Sequence, residues 1–200
     1  MPPQPLVRPV GLILAVAFAL LAAVLPFLPE SYRLWNYSAF GAVAMFAAAR
    51  AGKIGLPLGI ALALGGKFAF DMVRYVQQDY HSDYEPSESV YLCLVGYGAI
   101  GFLLCRQSMN PLRPGVAALL ASAVFFLVTN AVSWVRRDLP YDGGFAGLLQ
   151  SYWMGLPFWR GTLVSDLFFT AVLFGLDYAA VWATRTSPAT EAISIRSERS

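Results

Sequence analysis

Long stretches of apolar residues, separated by short polar segments, dominate the chain. They occupy residues 10–28, 36–50, 56–76, 89–105, 115–134 and 162–183. Apolar runs approaching about 20 residues are long enough to cross the hydrocarbon core of a bilayer as helices. Nothing alternates in the manner of a barrel strand, and a helix satisfies its own backbone hydrogen bonds in lipid. The pattern therefore predicts an all-α membrane protein, a bundle of about six transmembrane helices.

The segment before the last predicted span has a helical pattern of its own. After the turn residues of YDGG, apolar and aromatic side chains recur at helical spacing: Phe145, Leu148, Leu149, Tyr152, Trp153 and Leu156. This run is too short to cross a bilayer. It predicts a short interfacial helix on the outer face, before the last span.

Composition supports the membrane class and leaves room for one domain. The chain is 58% hydrophobic and only 13% charged, which is more apolar than a soluble domain needs to fill its core. Residues 1–185 are predicted to form a single transmembrane helical domain, and residues 186–200 a disordered cytoplasmic tail. The apolar run 10–28 exceeds a signal-peptide core and lacks a clear A-x-A site, so it predicts an uncleaved span; a cleaved signal peptide is the alternative.

Charge predicts the orientation and excludes one class of partner. Lys and Arg gather on the side that holds the N-terminus (Arg8, Arg50, Lys53, Arg106, Arg113, Arg185, Arg196 and Arg199) rather than the opposite side (Arg33, Arg136, Arg137 and Arg160). This bias predicts a multi-pass protein with both termini in the cytoplasm. The net charge of +2 is spread thinly, so no nucleic-acid partner is expected.

Four polar residues fall at a similar predicted depth in the outer third of the membrane: Asn36, Asp71, Asn130 and Asp166. Ionisable groups at a helix centre cost about 2.5 to 3.5 kcal/mol on insertion scales and normally face the bundle interior or a water-filled cavity. The coincidence predicts either a shared ligand site or a set of interhelical clamps. Outer aromatic residues form either the walls of that site or an interfacial belt: Trp35, Tyr152, Trp153 and Trp159.

Local interactions of Asp71 and Asn36 weaken the ligand hypothesis. Lys67 precedes Asp71 by four residues, a spacing at which the two side chains pair on one helix face. Asn36 sits where it would cap its helix. Asp177, in the inner half of the last span, has no visible partner and is given no role.

The first predicted helix carries small residues at four-residue intervals: Gly11, Ala15, Ala19 and Ala23. Such a stripe lets another helix approach closely. It predicts either a docking surface for a partner protein or ordinary packing within the bundle.

Sequence motifs for catalysis are absent. The chain has no G-x-S-x-G and no H-E-x-x-H, and its single histidine, His81, lies in an acidic outer loop that is read as solvated rather than metal-binding. Cys93 and Cys105 fall in one predicted helix, without disulfide or metal spacing. We therefore expect no enzyme activity, no cofactor and no metal site. Without a G-x-x-x-x-G-K-[ST] motif, any transport energy must come from a partner.

Several blocks resemble a family of small bacterial integral membrane proteins of unknown function: RLWNYSAFGAVAMF at 33–46, FFLVTN at 125–130, GLLQSYWMGLPFWRGTL at 147–163 and SDLFFTAVLFG at 165–175. That family is similar in size and layout to the S components of energy-coupling-factor (ECF) vitamin transporters. The resemblance implies the bacterial inner membrane, a vitamin-like ligand with cobalamin as one candidate, and docking of an ECF-type energising module on the first helix. A structural or assembly protein of the inner membrane is the alternative.

Two positions depart from the family pattern. The family usually has Ser before the acid of the third helix and Gly before the acid of the last helix, where this chain has Phe70 and Ser165. These departures leave the substrate open.

Overall fold

Six α-helices make up the described part of the chain. The computed structural model describes residues 9–24, 38–77, 88–106 and 108–185. The helices are α1 Pro9–Val24, α2 Phe40–Arg50, α3 Gly55–Gln77, α4 Glu88–Cys105, α5 Leu112–Arg136 and α6 Gly144–Arg185, with a short 3-10 helix, Gly52–Ile54, before α3. No strand occurs among these residues, which confirms the all-α prediction. The predicted tail, 186–200, lies outside them.

Four of the helices are long and apolar enough to cross a membrane. The candidate spans are Gly52–Val73, Glu88–Cys105, Leu112–Arg136 and Gly144–Ala183. The first two apolar runs form shorter apolar helices, Ile13–Ala22 within α1 and Phe40–Arg50. The membrane class is confirmed at this level, while the described residues contain four candidate spans where the sequence predicted six.

One continuous helix replaces the predicted interfacial helix and last span. Helix α6 has 42 residues, which corresponds to about 63 Å at the usual rise per residue. It runs through Pro157, which removes a single backbone hydrogen bond and is exposed on the helix surface. The prediction of a separate interfacial helix before the last span was therefore wrong: the apolar residues on both sides of Pro157 pack along one helix.

Helix α2 is the buried centre of the bundle. All residues of α2 from Phe40 to Ala49 are buried. Small residues in the surrounding helices allow those helices to approach the α2 backbone. A Cβ atom at Gly101 of α4 would lie 2.4 Å from the Cα of Met45, and one at Gly59 of α3 would lie 2.5 Å from the carbonyl oxygen of Ala44. Glycine at these positions is what allows such close packing.

The two ends of the bundle are marked by charged residues. Glu88 begins α4 and pairs with Arg136 at the end of α5, with 3.1 Å between carboxylate and guanidinium. Arg50 ends α2, and its guanidinium contacts the last carbonyl of α4, at Cys105. We call these the Glu88 end and the Arg50 end.

Candidate functional site

Asp71 is paired within the protein. Its carboxylate is fully buried, forms an ion pair with Lys67 one turn earlier on α3, and accepts a hydrogen bond of 2.5 Å from the hydroxyl of Tyr91 on α4. The Lys67 ammonium also lies 5.4 Å from the centre of the Tyr91 ring. The local neutralisation expected from the sequence is therefore present, and Tyr91 adds a partner on a second helix.

Asp166 has a different tyrosine as its partner. Its carboxyl group is 3% exposed and accepts a hydrogen bond from the hydroxyl of Tyr97, which is equally buried. Tyr91 and Tyr97 are six residues apart on α4, a rise of about 9 Å. The two aspartates are thus held at different heights along α4.

Asn130 joins α5 to α6. Its side-chain amide donates to the carbonyl of Phe126 at 2.8 Å, and its backbone carbonyl accepts a bond of 3.2 Å from the hydroxyl of Ser151. A Cβ atom at Gly155 would lie 2.2 Å from the Asn130 side-chain oxygen, so only glycine there leaves room for the amide. This Asn thus occupies a helix contact, where its amide has a protein partner.

The described members of the predicted polar layer all have partners in the protein. Asn36 and Trp35 lie outside the described residues, as does the acidic loop with His81. A ligand-binding role for Asn36, Asp71, Asn130 and Asp166 stays a prediction.

A groove that contains some of the predicted wall residues lies between α5 and α6, near the Glu88 end. The groove has a volume of about 500 Å³ and is lined by Phe126, Leu149, Gln150, Tyr152, Trp153 and Leu156. Trp153 is 75% exposed and Leu149 is 52% exposed, so the lining of the groove is apolar and accessible. Two of the predicted wall residues, Tyr152 and Trp153, therefore share one surface.

A stack of aromatic rings supports this α5/α6 groove. Trp159 stacks on Phe126 with 5.1 Å between ring centres, and Phe126 lies 5.7 Å from the Tyr152 ring. The Trp159 indole N–H donates to both oxygens of Ser122 at 3.1 Å, and the Tyr152 hydroxyl donates to the Leu127 carbonyl at 3.3 Å. Trp159 is thus a support of the groove, and these bonds fix two rings in place.

A cluster of polar residues at the Arg50 end was missed by sequence reasoning. The Arg50 guanidinium donates to the Asp177 carboxylate at 2.9 Å, to the Cys105 carbonyl at 2.9 Å and to the Ser108 carbonyl at 3.0 Å. The ring of Phe174 lies 5.1 Å from its central carbon. Asp177 therefore has a partner after all; an Arg and an Asp at matching predicted depth were the only signal in the sequence.

The two departures from the family pattern both contact the start of α2. The Ser165 hydroxyl accepts from the Ser38 backbone N–H at 2.8 Å and donates to the Ser38 carbonyl at 2.9 Å. The Phe70 ring packs edge-on against Phe40, 6.2 Å away. In this chain, both positions help to hold the central helix.

The small-residue stripe of α1 points into the bundle where it is described. Ala15 is fully buried and Ala19 is 7% exposed. A Cβ atom at Gly66 of α3 would lie 3.7 Å from the Ala19 carbonyl oxygen, so α3 passes close by. The surroundings of Gly11 and Ala23 are outside the described residues. The burial of Ala15 and Ala19 matches the packing alternative, and partner docking stays a prediction.

Comparisons with known proteins give one match. The profile of a family described only as one of unknown function, DUF6580, matches residues 6–190. No curated protein and no solved structure matches the chain. The similarity to ECF S components therefore stays a prediction.

Proposed function

We propose that this chain, which belongs to the DUF6580 family of unknown function, binds a small vitamin-like molecule in the α5/α6 groove. The binding would serve uptake, as the resemblance to ECF S components implies. Cobalamin is one candidate ligand.

The observation that carries this proposal is the convergence of aromatic side chains on one groove. Small-molecule sites are concave, mostly apolar surfaces of roughly 300 to 1,000 Å³ with a few polar groups, and a groove of about 500 Å³ lies in this range. Its lining is apolar except for Gln150 and Tyr152, whose side-chain oxygens also bond to the Asp142 N–H and the Leu127 carbonyl. A ring system would find flat partners in Tyr152 and Trp153.

Two aromatic residues of the groove are held by contacts within the protein. Phe126 is fixed against Trp159, and Tyr152 is fixed by its bond to the Leu127 carbonyl. Fixing side chains on binding costs about 0.5 to 1.5 kcal/mol for each rotamer-rich group. Walls that are already held reduce this cost, which favours binding of a rigid ligand.

The setting of the proposed function follows from the sequence. We propose a multi-pass protein of the bacterial inner membrane with both termini in the cytoplasm, surrounded by lipid. Its other partners would be the small-molecule ligand and an ECF-type energising module that supplies the energy. No catalytic role is proposed.

A thermal-shift screen of the detergent-purified protein against vitamins and their precursors, cobalamin included, tests the binding. We expect at least one compound to raise the melting temperature of the wild type. The shift should disappear in Trp153→Ala and persist in Trp182→Ala, a matched control because Trp182 is 69% exposed near the other end of α6. A folded protein that no compound stabilises, or a shift that survives Trp153→Ala, would contradict the proposal.

A structural or assembly protein of the inner membrane is a second candidate. The observation in its favour is that Asp71, Asp166 and Asp177, all buried, bind side chains of the protein itself. This candidate predicts that no compound in the screen stabilises the protein, so the same experiment separates the two.

A further inference from the structure

Arg160 extends the ligand-facing side of α6 by one turn. Leu149, Trp153, Leu156 and Arg160 are separated by four, three and four residues, which places them on one face of the helix. The first three line the groove. Arg160 lies one turn beyond these lining residues, and helical side chains lean in general toward the N-terminus, which for Arg160 is the direction of the groove.

The Arg160 guanidinium is exposed and has no hydrogen bond or ion pair with any residue that the structure describes. By contrast, Arg50 and Arg136 each bind a carboxylate. The residues one turn before and one turn after Arg160 on this face of α6, Leu156 and Val164, are apolar, and Val164 is 51% exposed. The cation thus stands alone in an apolar surface.

The position of Arg160 along the bundle is unusual for a charged residue. The neighbouring Trp159 binds Ser122, which is ten residues from the start of α5 at Leu112 and 14 from its end at Arg136. At 1.5 Å per residue these separations are about 15 and 21 Å, so Arg160 lies beside the middle of an apolar helix and not in an outer connection, where the sequence had placed it. Charged residues at such depth are costly and face a cavity, a counter-charge or a functional ligand.

We propose that Arg160 is the anion-recognition residue of the α5/α6 groove, and that the ligand is a ring-bearing carboxylate. The rings would lie on Trp153, and the carboxylate would accept two parallel hydrogen bonds from the guanidinium, the arrangement that Arg favours. The rise along α6 from Trp153 to Arg160 is about 10 Å. The ring and the carboxylate of the ligand should therefore be separated by this distance less the length by which the Arg160 side chain extends toward Trp153. This inference rests on the proposed function and names the substrate class for the same groove.

The test compares two probes with the same ring system, the anionic 1-naphthylacetate and the neutral 1-naphthylacetamide, by titration calorimetry on the detergent-purified full chain. The wild type should bind the carboxylate about 10- to 100-fold more tightly than the amide, since bonds to a charged group are the strong ones. Arg160→Gln should lose this preference, with amide affinity and melting temperature unchanged. Arg106→Gln is the matched control, because Arg106 is also exposed but lies at the Arg50 end of α4.

Each other outcome rejects the inference in a distinguishable way. Equal affinity for both probes in the wild type and in Arg160→Gln would leave the groove as a binding site and assign Arg160 to another occupant, such as an acidic helix of a partner. Binding of neither probe at millimolar concentration would count against both the inference and the proposed function. Loss of preference in Arg106→Gln as well would point to the overall charge of the protein.

Discussion

Replacing Arg50 by methionine removes the guanidinium that joins three parts of the bundle. The side chain binds the carboxylate of Asp177 on α6 and the carbonyls of Cys105 and Ser108, at the end of α4 and just beyond it. The Asp177 side chain is only 5% exposed. Methionine fills a similar volume but carries no charge and no hydrogen-bond donor. The substitution therefore leaves a buried carboxylate without its partner.

The size of the effect follows from this burial. Breaking a buried ion pair by removing one partner costs about 3 to 5 kcal/mol, whereas replacing both partners by apolar residues is often neutral or stabilising. We expect Arg50→Met to lower the free energy of unfolding by about 3 kcal/mol, the lower part of that range, because the Arg50 side chain keeps 12% of its exposure. The double variant Arg50→Met with Asp177→Leu should recover most of the loss. The two carbonyls that lose their donor would account for the remaining deficit of about 1 kcal/mol, the lower end of the cost of an unsatisfied buried group.

Reversible unfolding of the purified protein in mixed micelles, followed by circular dichroism, measures these differences. Arg106→Met is the control: this exposed Arg lies over the Phe102 ring at 4.5 Å, a contact worth about 0.5 to 1 kcal/mol. If Arg50→Met costs no more than Arg106→Met, or if the double variant loses as much as the sum of the singles, the Arg50 cluster does not hold the bundle as described.

Two further predictions concern the polar groups near the middle of the bundle. Tyr97→Phe should destabilise the protein by about 1 to 3 kcal/mol in the same unfolding assay, because buried Asp166 loses the hydrogen bond from Tyr97; an effect below about 0.5 kcal/mol would argue against that bond. Gly155→Ala should destabilise because its Cβ meets the Asn130 amide, whereas Gly115→Ala, with nothing within 4 Å, should not. Adding Asn130→Ala should rescue Gly155→Ala, and failure of that rescue would place the clash elsewhere.

The helix positions were largely predictable because apolar runs end at polar residues. The predicted run 89–105 became Glu88–Cys105, and 115–134 became Leu112–Arg136. The continuity of α6 was not predictable, because Pro157 lies within it and a proline normally indicates the end of a helix. A proline costs one hydrogen bond and a local clash, which packing along α5 offsets in this helix.

Some partners of the buried charged residues could be predicted from the sequence, and others could not. Lys67 and Asp71 lie four residues apart, so their ion pair was visible in the sequence. Arg50 and Asp177 are 127 residues apart, and nothing local announces their pairing. Tyr91 and Tyr97 were overlooked because an apolar helix gives no signal that a tyrosine hydroxyl is buried against a carboxylate from another helix.

Two of the residues that line the groove, Tyr152 and Trp153, were named from the sequence, but the shape of the groove was not predicted. The predicted outer position of their aromatic side chains marked Tyr152, Trp153 and Trp159, together with Trp35, as walls of a site or as an interfacial belt. Their separation into two wall residues and one supporting residue depends on the contact with Phe126 and Ser122 of α5. Pairing between helices of this kind is a property of the folded bundle, which periodicity along one helix does not encode.

Calorimetric titration of the most stabilising vitamin from the thermal-shift screen tests the central claim most directly. We predict one binding event per chain in the wild type and in Trp182→Ala. In Trp153→Ala the affinity should fall by at least about tenfold, as expected for loss of an aromatic anchor. Equal affinity in all three proteins, or no measurable binding by the wild type, would contradict a ligand site in the α5/α6 groove.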